Sequence, residues 1–342
     1  MADDLDPMAP ADVVDLYLQT RESELSKSSR ENQRYRLRSF VEFCEEQGID
    51  TLDQLTGRHL HEFRVWRKNG ESERYGEVNN VTLYGVLQTL RVFLEFAASI
   101  DAVEPGMRER VLLPEIDPEE ERRDELLEED RAEDIVSYLS RYRYASREHV
   151  IMAILWHTGM RLGSLRSLDV DDYDPTEPCL TLSHQPESGT PLKNSRGAER
   201  DIYLSEQYSQ LIREYIEQNR HNVIDEYGRR PLITSEQGRL TATPIRRIVY
   251  RWTQPCRIGG CPHDEDPETC EWRHYEQLRD CPSSRSPHGV RRGSITMHRR
   301  RGVPREVVSD RADASADVLE AHYDRRSKRE RMRNRKEFLD DI

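Results

Sequence analysis

Lysine is almost missing from this chain. Only Lys27, Lys68, Lys193, Lys328 and Lys336 occur among 52 basic side chains in 342 residues. Arginine therefore carries the positive charge, and its planar fork suits carboxylate and phosphate oxygens. No run of eighteen apolar residues is present, which excludes an obvious membrane span. The start, Met1-Ala2-Asp3-Asp4-Leu5-Asp6, lacks the apolar core of a signal peptide, so a soluble, cytoplasmic protein is expected. No internal repeat or low-complexity tract occurs, which excludes a solenoid. Cysteines number six. Cys44 and Cys179 read as small buried hydrophobes, and four fall close together between Cys256 and Cys281.

Acids outnumber bases, 65 to 52, for a net charge of −13. That balance disfavours a general attraction to nucleic acid. Acid-rich, lysine-poor surfaces, however, resemble those of proteins that work in concentrated salt. Screening there weakens every phosphate contact, so DNA binding would depend on local arginine clusters.

Two domains are expected from the length. Residues 10–112 read as helices, with apolar stripes at Val13, Val14, Tyr17 and Leu18, then at Leu37, Phe40, Val41 and Cys44. Leu60, Phe63 and Trp66 mark a third helix, and Val86, Leu87, Leu90, Phe93 and Leu94 a fourth. Ser28-Ser29-Arg30-Glu31 has the form of a capping box. An acidic, proline-bearing linker is expected at 113–124. Residues 125–342 read as mixed. A helix resumes at Leu126 and another covers 147–157. Cys179–Ser183 and Arg200–Leu204 alternate like hairpin strands, and helices follow at 205–219 and 243–252. The fold class expected is mainly α with a small β-sheet (α+β).

Ser286-Pro287-His288-Gly289-Val290-Arg291-Arg292 organises the second domain. Proline suits a first helical turn, which sets His288 and Arg291 three apart on one face, where backbone N–H groups favour an anion. Seven arginines, among them Arg285, Arg291, Arg292, Arg299 and Arg300, lie in 21 acid-free residues. They form a local positive field suited to phosphates. Arg64, Arg67 and Lys68 are further candidate phosphate contacts. Just before this stretch, Cys256, Cys261, Cys270 and Cys281 could hold a structural zinc across residues 256–281, with His263 or His274 as an alternative ligand. Such a metal would pin the loop ahead of Pro287. The tail 324–342 is locally basic.

Thr158-Gly159-Met160-Arg161-Leu162-Gly163, the hairpin Lys193, His288-x-x-Arg291 and the late Tyr323 occur in fixed order. Together they resemble the tyrosine recombinase (phage integrase) family, in particular its archaeal site-specific integrases. The resemblance covers about residues 10–335. It implies a SAM-like helical core-binding domain followed by a catalytic integrase domain, the two wrapping opposite sides of a DNA duplex. It implies a homotetramer on two DNA sites; a monomer is allowed off DNA, and the basic tail from Arg325 is expected to dock on a neighbour.

The implied reaction is cutting and rejoining of DNA through a 3′-phosphotyrosine on Tyr323, to integrate or excise a mobile element. Arg161 and Arg291 would grip the non-bridging oxygens, Lys193 would protonate the leaving 5′-oxygen, and His288 would bond the phosphate or take the phenolic proton. No cofactor is needed for that chemistry. Two positions depart from the family pattern. Ser164 stands where an acid is usual three after the first arginine. Ala314 stands where a His or Trp is usual nine before the tyrosine, and Arg311 or Asp313 is expected to fill that space. Three other readings fit the sequence: a DNA-binding protein with a decayed site, a topoisomerase-like cleaving and rejoining enzyme, and a zinc-dependent nuclease.

Overall fold

The apolar spacing along residues 80–99 makes one long helix whose buried stripe, Leu83, Val86, Leu87, Leu90, Phe93, Leu94 and Ala97, centres the first of two compact units. The units are Met1–Arg123 and Asp124–Ile342. The computed structural model describes residues 5–72, 74–117 and 125–315, with positions 319, 329, 332, 333 and 336 beyond them. The central helix is apolar and long enough to cross a membrane by length and composition. Its burial among its neighbours accounts for that character.

The first unit comprises α1 (Pro10–Thr20), α2 (Lys27–Gln47), α3 (Gly57–Asn69), α4 (Asn80–Ser99) and the short α5 (Met107–Arg110). Each main helix starts where the local chemistry allows. Pro10 opens α1, and the Thr56 and Asn79 side chains accept N–H groups of α3 and α4. The cap of α2 lies two residues before the expected box. Ser26 Oγ accepts the Ser29 N–H at 3.2 Å, so Ser28 and Ser29 already lie inside the helix. Tyr17, Phe40, Phe43, Phe63 and Phe93 fill the core, with Phe40 and Phe63 meeting edge-on at 5.4 Å. Burial of each such ring contributes about 1.5–3 kcal/mol.

Gly70 ends α3 at φ +66°, and a Cβ there would lie 2.1 Å from the Glu77 nitrogen, so only glycine fits. That close approach consumes two of the expected DNA contacts. Arg67 is 5% exposed and donates to the Gly76 carbonyl at 3.0 Å, while Lys68 donates to Val78 at 2.9 Å. Both cations hold their own loop rather than face solvent. Arg64 is half-buried on α3.

The second unit contains α6 (Glu129–Tyr142), α7 (Arg147–Thr158), α8 (Leu162–Ser167), α9 (Glu206–Glu214), α10 (Ala242–Trp252), α11 (Pro287–Arg300) and α12 (Arg305–Ala312). It also carries the antiparallel sheet β1 (Tyr173–Asp174), β2 (Cys179–Leu182), β3 (Arg200–Tyr203) and the hairpin β4 (Thr234–Ser235), β5 (Gly238–Arg239). β2 and β3 pair with Leu180 opposite Ile202 and Leu182 opposite Arg200.

α6 begins later than residue 126 because the Leu127 N–H donates to the Gly289 carbonyl, holding that stretch extended against α11. The helix expected over 205–219 closes in a π-helical turn at Tyr215–Asn219. α7 is buried on nearly every side, as a central core helix must be. α11 lies close upon it: a Cβ at Gly293 would meet the Leu127 carbonyl oxygen at 2.0 Å and the Trp156 ring at 2.9 Å. This contact fixes where the start of α11 sits relative to the end of α7.

Candidate functional site

The end of α7 is built to present Arg161. Thr158 Oγ1 donates to the Ile154 carbonyl and accepts the Met160 N–H, turning the chain out of the helix. Gly159 takes the left-handed φ of +64° and lies against α11, where a Cβ would come 3.2 Å from Ser294 Oγ. Ser294 in turn donates to the Trp156 carbonyl. Arg161 follows immediately as the N-cap residue of α8. On the facing element, Ser286 caps α11 by accepting the Gly289 N–H at 3.1 Å, and Pro287 opens the first turn. Arg161, His288 and Arg291 line one cleft of about 300 Å³, together with Leu162, Arg246, Tyr250, Ser286 and Pro287. His288 is exposed there, while Arg291 is only 2% exposed.

Arg291 holds the cleft together from below. Its Nη1 donates to the carbonyls of Gly159 and Ala312, and its Nη2 reaches the Asp313 carbonyl at 3.4 Å. One guanidinium thus joins the turn before Arg161 to the end of α12. The Arg161 guanidinium pairs with the Asp313 carboxylate, which also accepts the Asn194 amide at 2.9 and 3.1 Å. Arg200, at the start of β3, is the third arginine of the group. Burial pushes it down to about 10; nearby Asp313 opposes that shift, and Arg291 and Arg161 add to it.

The remaining candidates fall in several places. Lys193 is exposed in the β2–β3 connection, next to Asn194. That connection is a long excursion containing a Gln185–Thr190 bridge rather than a tight hairpin tip. The Arg311 side chain donates to the Tyr203 and His157 carbonyls instead of lining the cleft, because the turn that ends α12 directs Asp313 toward Arg161. Tyr323 lies outside the described residues. Arg285 is committed to the carbonyls of Leu126, Pro282 and Ser284, and Arg299 to that of Val303. Arg292 is half-buried and Arg300 exposed on α11.

The expectation of a zinc site is not met. Among the described residues no three His, Cys, Asp or Glu side chains are grouped to hold a metal ion. Cys256, Cys261, Cys270 and Cys281 are free thiols, with burial pushing Cys256 upward. His263 instead bonds Ser283 Oγ at 3.0 Å, and His274 is exposed. Other bonds do the pinning. Gln254 donates to the carbonyls of Trp272 and Leu278, Arg131 donates to those of Thr253 and Ser283, and Thr253 Oγ1 accepts the Arg285 N–H at 2.8 Å. Arg247 of α10 lies over the Tyr275 ring at 3.9 Å.

Sequence reading missed Arg200, Arg246, Tyr250 and Asn194. Arg246 and Tyr250 stand four apart beside the buried stripe of α10, a signal legible afterwards as one helical face. Arg200 begins an alternating strand, and nothing in the sequence separates it from an exposed strand residue. A larger hollow of about 460 Å³ on the first unit is lined by charges that pair among themselves, Arg30 with Glu22 and Arg34 with Asp15.

No family model matches the chain, and no curated protein does. Solved structures do. The Tn1549 transposon integrase in complex with a circular intermediate DNA aligns at TM-score 0.65 with 14% identity, over 96% of this chain and 99% of that one. A lambda integrase dimer bound to a COC′ core site aligns at TM-score 0.61 with 12% identity, over 94% and 80%. These likenesses define the fold as that of the tyrosine recombinases. The N-terminal domain of a phage integrase/site-specific recombinase from Haloarcula marismortui is 36% identical over 32% of this chain and 99% of its own, with TM-score 0.29. The chain belongs to the tyrosine recombinase, or phage integrase, family.

Proposed function

We propose that this protein is a site-specific DNA recombinase that integrates or excises a mobile element through a 3′-phosphotyrosine on Tyr323. The observation that carries the reading is the surplus of guanidinium at one cleft. Arg161, Arg291 and Arg200 lie within electrostatic reach of one another; among the described residues the Asp313 carboxylate pairs with Arg161, while Arg291 and Arg200 bond backbone carbonyls. Packed cations repel, so an anion held between them is favoured. The first turn of α11 adds its dipole on the same side.

In this reading Arg161 and Arg291 bind the non-bridging oxygens of the scissile phosphate, where charge builds in the transition state. The Tyr323 oxygen bonds to phosphorus as the bond to the 5′-oxygen breaks. The phenolic proton passes to His288, and Lys193 delivers a proton to the leaving 5′-oxygen. A phenol titrates at about 10, so this charge stabilisation matters near neutrality. The phosphotyrosine conserves the bond energy, so a 5′-hydroxyl from a second strand reverses the step without ATP or a cofactor. Arg64, Arg246, Arg292 and Arg300 track neighbouring phosphates, whereas Arg67, Lys68, Arg285, Arg299 and Arg311 serve the fold. The partners are duplex DNA and three further copies of the chain. The compartment is the cytoplasm, and the acid-rich, lysine-poor composition suits concentrated salt.

The test is a pool of nicked duplexes with randomised cores, offered in concentrated salt with EDTA. The wild type forms an SDS-stable protein–DNA adduct mapping to the Tyr323 peptide, and Tyr323→Phe forms none. A nucleotide mapped to Tyr250, or no adduct at any salt concentration, contradicts the reading. Ser164 and Ala314 favour a second reading, a DNA-binding protein on this fold without strand cleavage, and selective duplex retention without an adduct would establish it.

A further inference from the structure

Asp313 occupies a position where its backbone argues for glycine. It ends α12 at φ +53° and ψ +61°, in the left-handed region that side chains other than Asn and Asp seldom adopt. What the residue contributes instead is its carboxylate, which is partly buried and accepts from two distant segments. One oxygen takes the Arg161 guanidinium, and both oxygens lie within reach of the Asn194 amide. The backbone beside it receives Arg291, through the Ala312 and Asp313 carbonyls. The start of α8, the first turns of α11 and the connection carrying Lys193 thus converge on one residue.

We infer that Asp313 is the positioning residue of the proposed reaction, fixing the Arg161 guanidinium toward the phosphate and docking the Lys193 loop through Asn194. The inference rests on the recombinase reading and deepens it. Arg161 is a long side chain on the N-cap residue of a short helix, and that helix offers it no acid. Three residues on, where a side chain could reach back to it, stands Ser164. A carboxylate bonded to one edge of a guanidinium leaves the remaining N–H groups aimed elsewhere. Arg161 also lines the cleft that carries His288. Asn194 adds a second effect. It neighbours Lys193 in a connection of seventeen residues, 183–199, so its bond to Asp313 restricts where the lysine can travel.

The experiment uses the full chain and a duplex recovered from the adduct pool. Asp313→Gly keeps the left-handed backbone and removes the carboxylate. Asp313→Asn keeps the backbone and an amide but removes the charge. Single-turnover adduct formation should fall roughly 100-fold in Asp313→Gly, the scale of a misplaced reacting group, while duplex affinity changes less than about threefold on the same grounds. Asn194→Ala should give a smaller loss. Adding Ser164→Asp to Asp313→Gly should restore part of the rate, which a merely structural role would not allow. Wild-type rates in both Asp313 variants, or a loss of duplex affinity in parallel with rate, would overturn the inference. The wild-type adduct itself tests the underlying reading: if it forms on Tyr323 and the Asp313 variants match it, the function stands and the positioning role fails.

Discussion

Two clusters of arginine in the second unit differ in their balance of charge. In the first, Asp169 bonds Arg229 at 2.6 Å and Arg239, and Arg239 also bonds Asp225 at 3.0 Å. All four side chains are nearly buried, and each cation meets an anion. In the second, Arg161 pairs with the Asp313 carboxylate, Arg291 bonds the Ala312 and Asp313 carbonyls and Arg200 lies within their electrostatic reach, and the group opens onto a cleft carrying Arg246 and His288. The first is self-sufficient and locks β5 to the turn after α8. In the proposed reading the second also takes an anion from outside. Arginine-rich composition alone therefore says little about function; the local ratio of carboxylate to guanidinium separates a structural lock from a binding site.

Breaking each cluster should expose that difference. Arg239→Ala leaves Asp169 and Asp225 short of a partner, and loss of one member of a buried ion pair costs about 3–5 kcal/mol. Denaturant unfolding should show this, while adduct formation per folded molecule stays unchanged. Arg161→Ala should do the reverse. Cleavage falls roughly 100- to 1000-fold, about 2.7–4 kcal/mol, and the unfolding free energy shifts by only about 0.5 kcal/mol, because relief of repulsion offsets the lost pair.

Lowering the pH should reduce stability in two stages, of which the later involves the first cluster. Burial holds the His157 imidazole down at about 3, and nearby Arg311 and His298 push the same way. His149 is held at about 4 by burial. Both folded values lie below the 6.5 of a free side chain, so the unfolded chain binds protons first as the pH falls. Stability is intact above about pH 6.5 and declines from there toward 3. Burial alone would raise the Asp225 carboxyl, but the Arg229 N–H and the Arg239 guanidinium outweigh it, so it titrates below its ordinary value. Its contribution is lost only as the pH falls below about 3.9. Unfolding midpoints measured across pH should therefore drop first between 6.5 and 4, and His157→Gln should flatten that part of the curve. The smallest effect is an anion's. Sulfate at several times its dissociation constant should stabilise the wild type by about 1 kcal/mol, Arg239→Ala equally, and Arg161→Ala hardly at all.

The sequence disclosed the ingredients of the second cluster better than its wiring. The glycine after Thr158, the proline before His288 and the spacing of His288 and Arg291 each have a local physical cause, so their helix ends could be anticipated. Asp313 stood in sight, two residues from Arg311 and named with it as an alternative. Which of the two reaches Arg161 depends on a left-handed residue at the end of α12, and helical periodicity carries no trace of that. The cysteines misled for a related reason. Their crowding in sequence reads as a metal knot, yet the loop is held by Gln254, Arg131 and Arg285, ordinary polar residues that only the tertiary fold brings to bear. Arg67 and Lys68 read as candidate phosphate contacts on their helix, but the loop ending at Val78 crosses over them and takes their bonds.

The most direct measurement replaces the scissile phosphate of the recovered duplex with a neutral methylphosphonate and compares single-turnover cleavage by the wild type and Arg161→Ala. If the surplus guanidinium exists to hold the phosphate's charge, the roughly 100- to 1000-fold defect of Arg161→Ala on phosphate should shrink at least tenfold on the neutral linkage. An identical defect on both substrates would mean that Arg161 does not act on phosphate charge, and the central claim would fail.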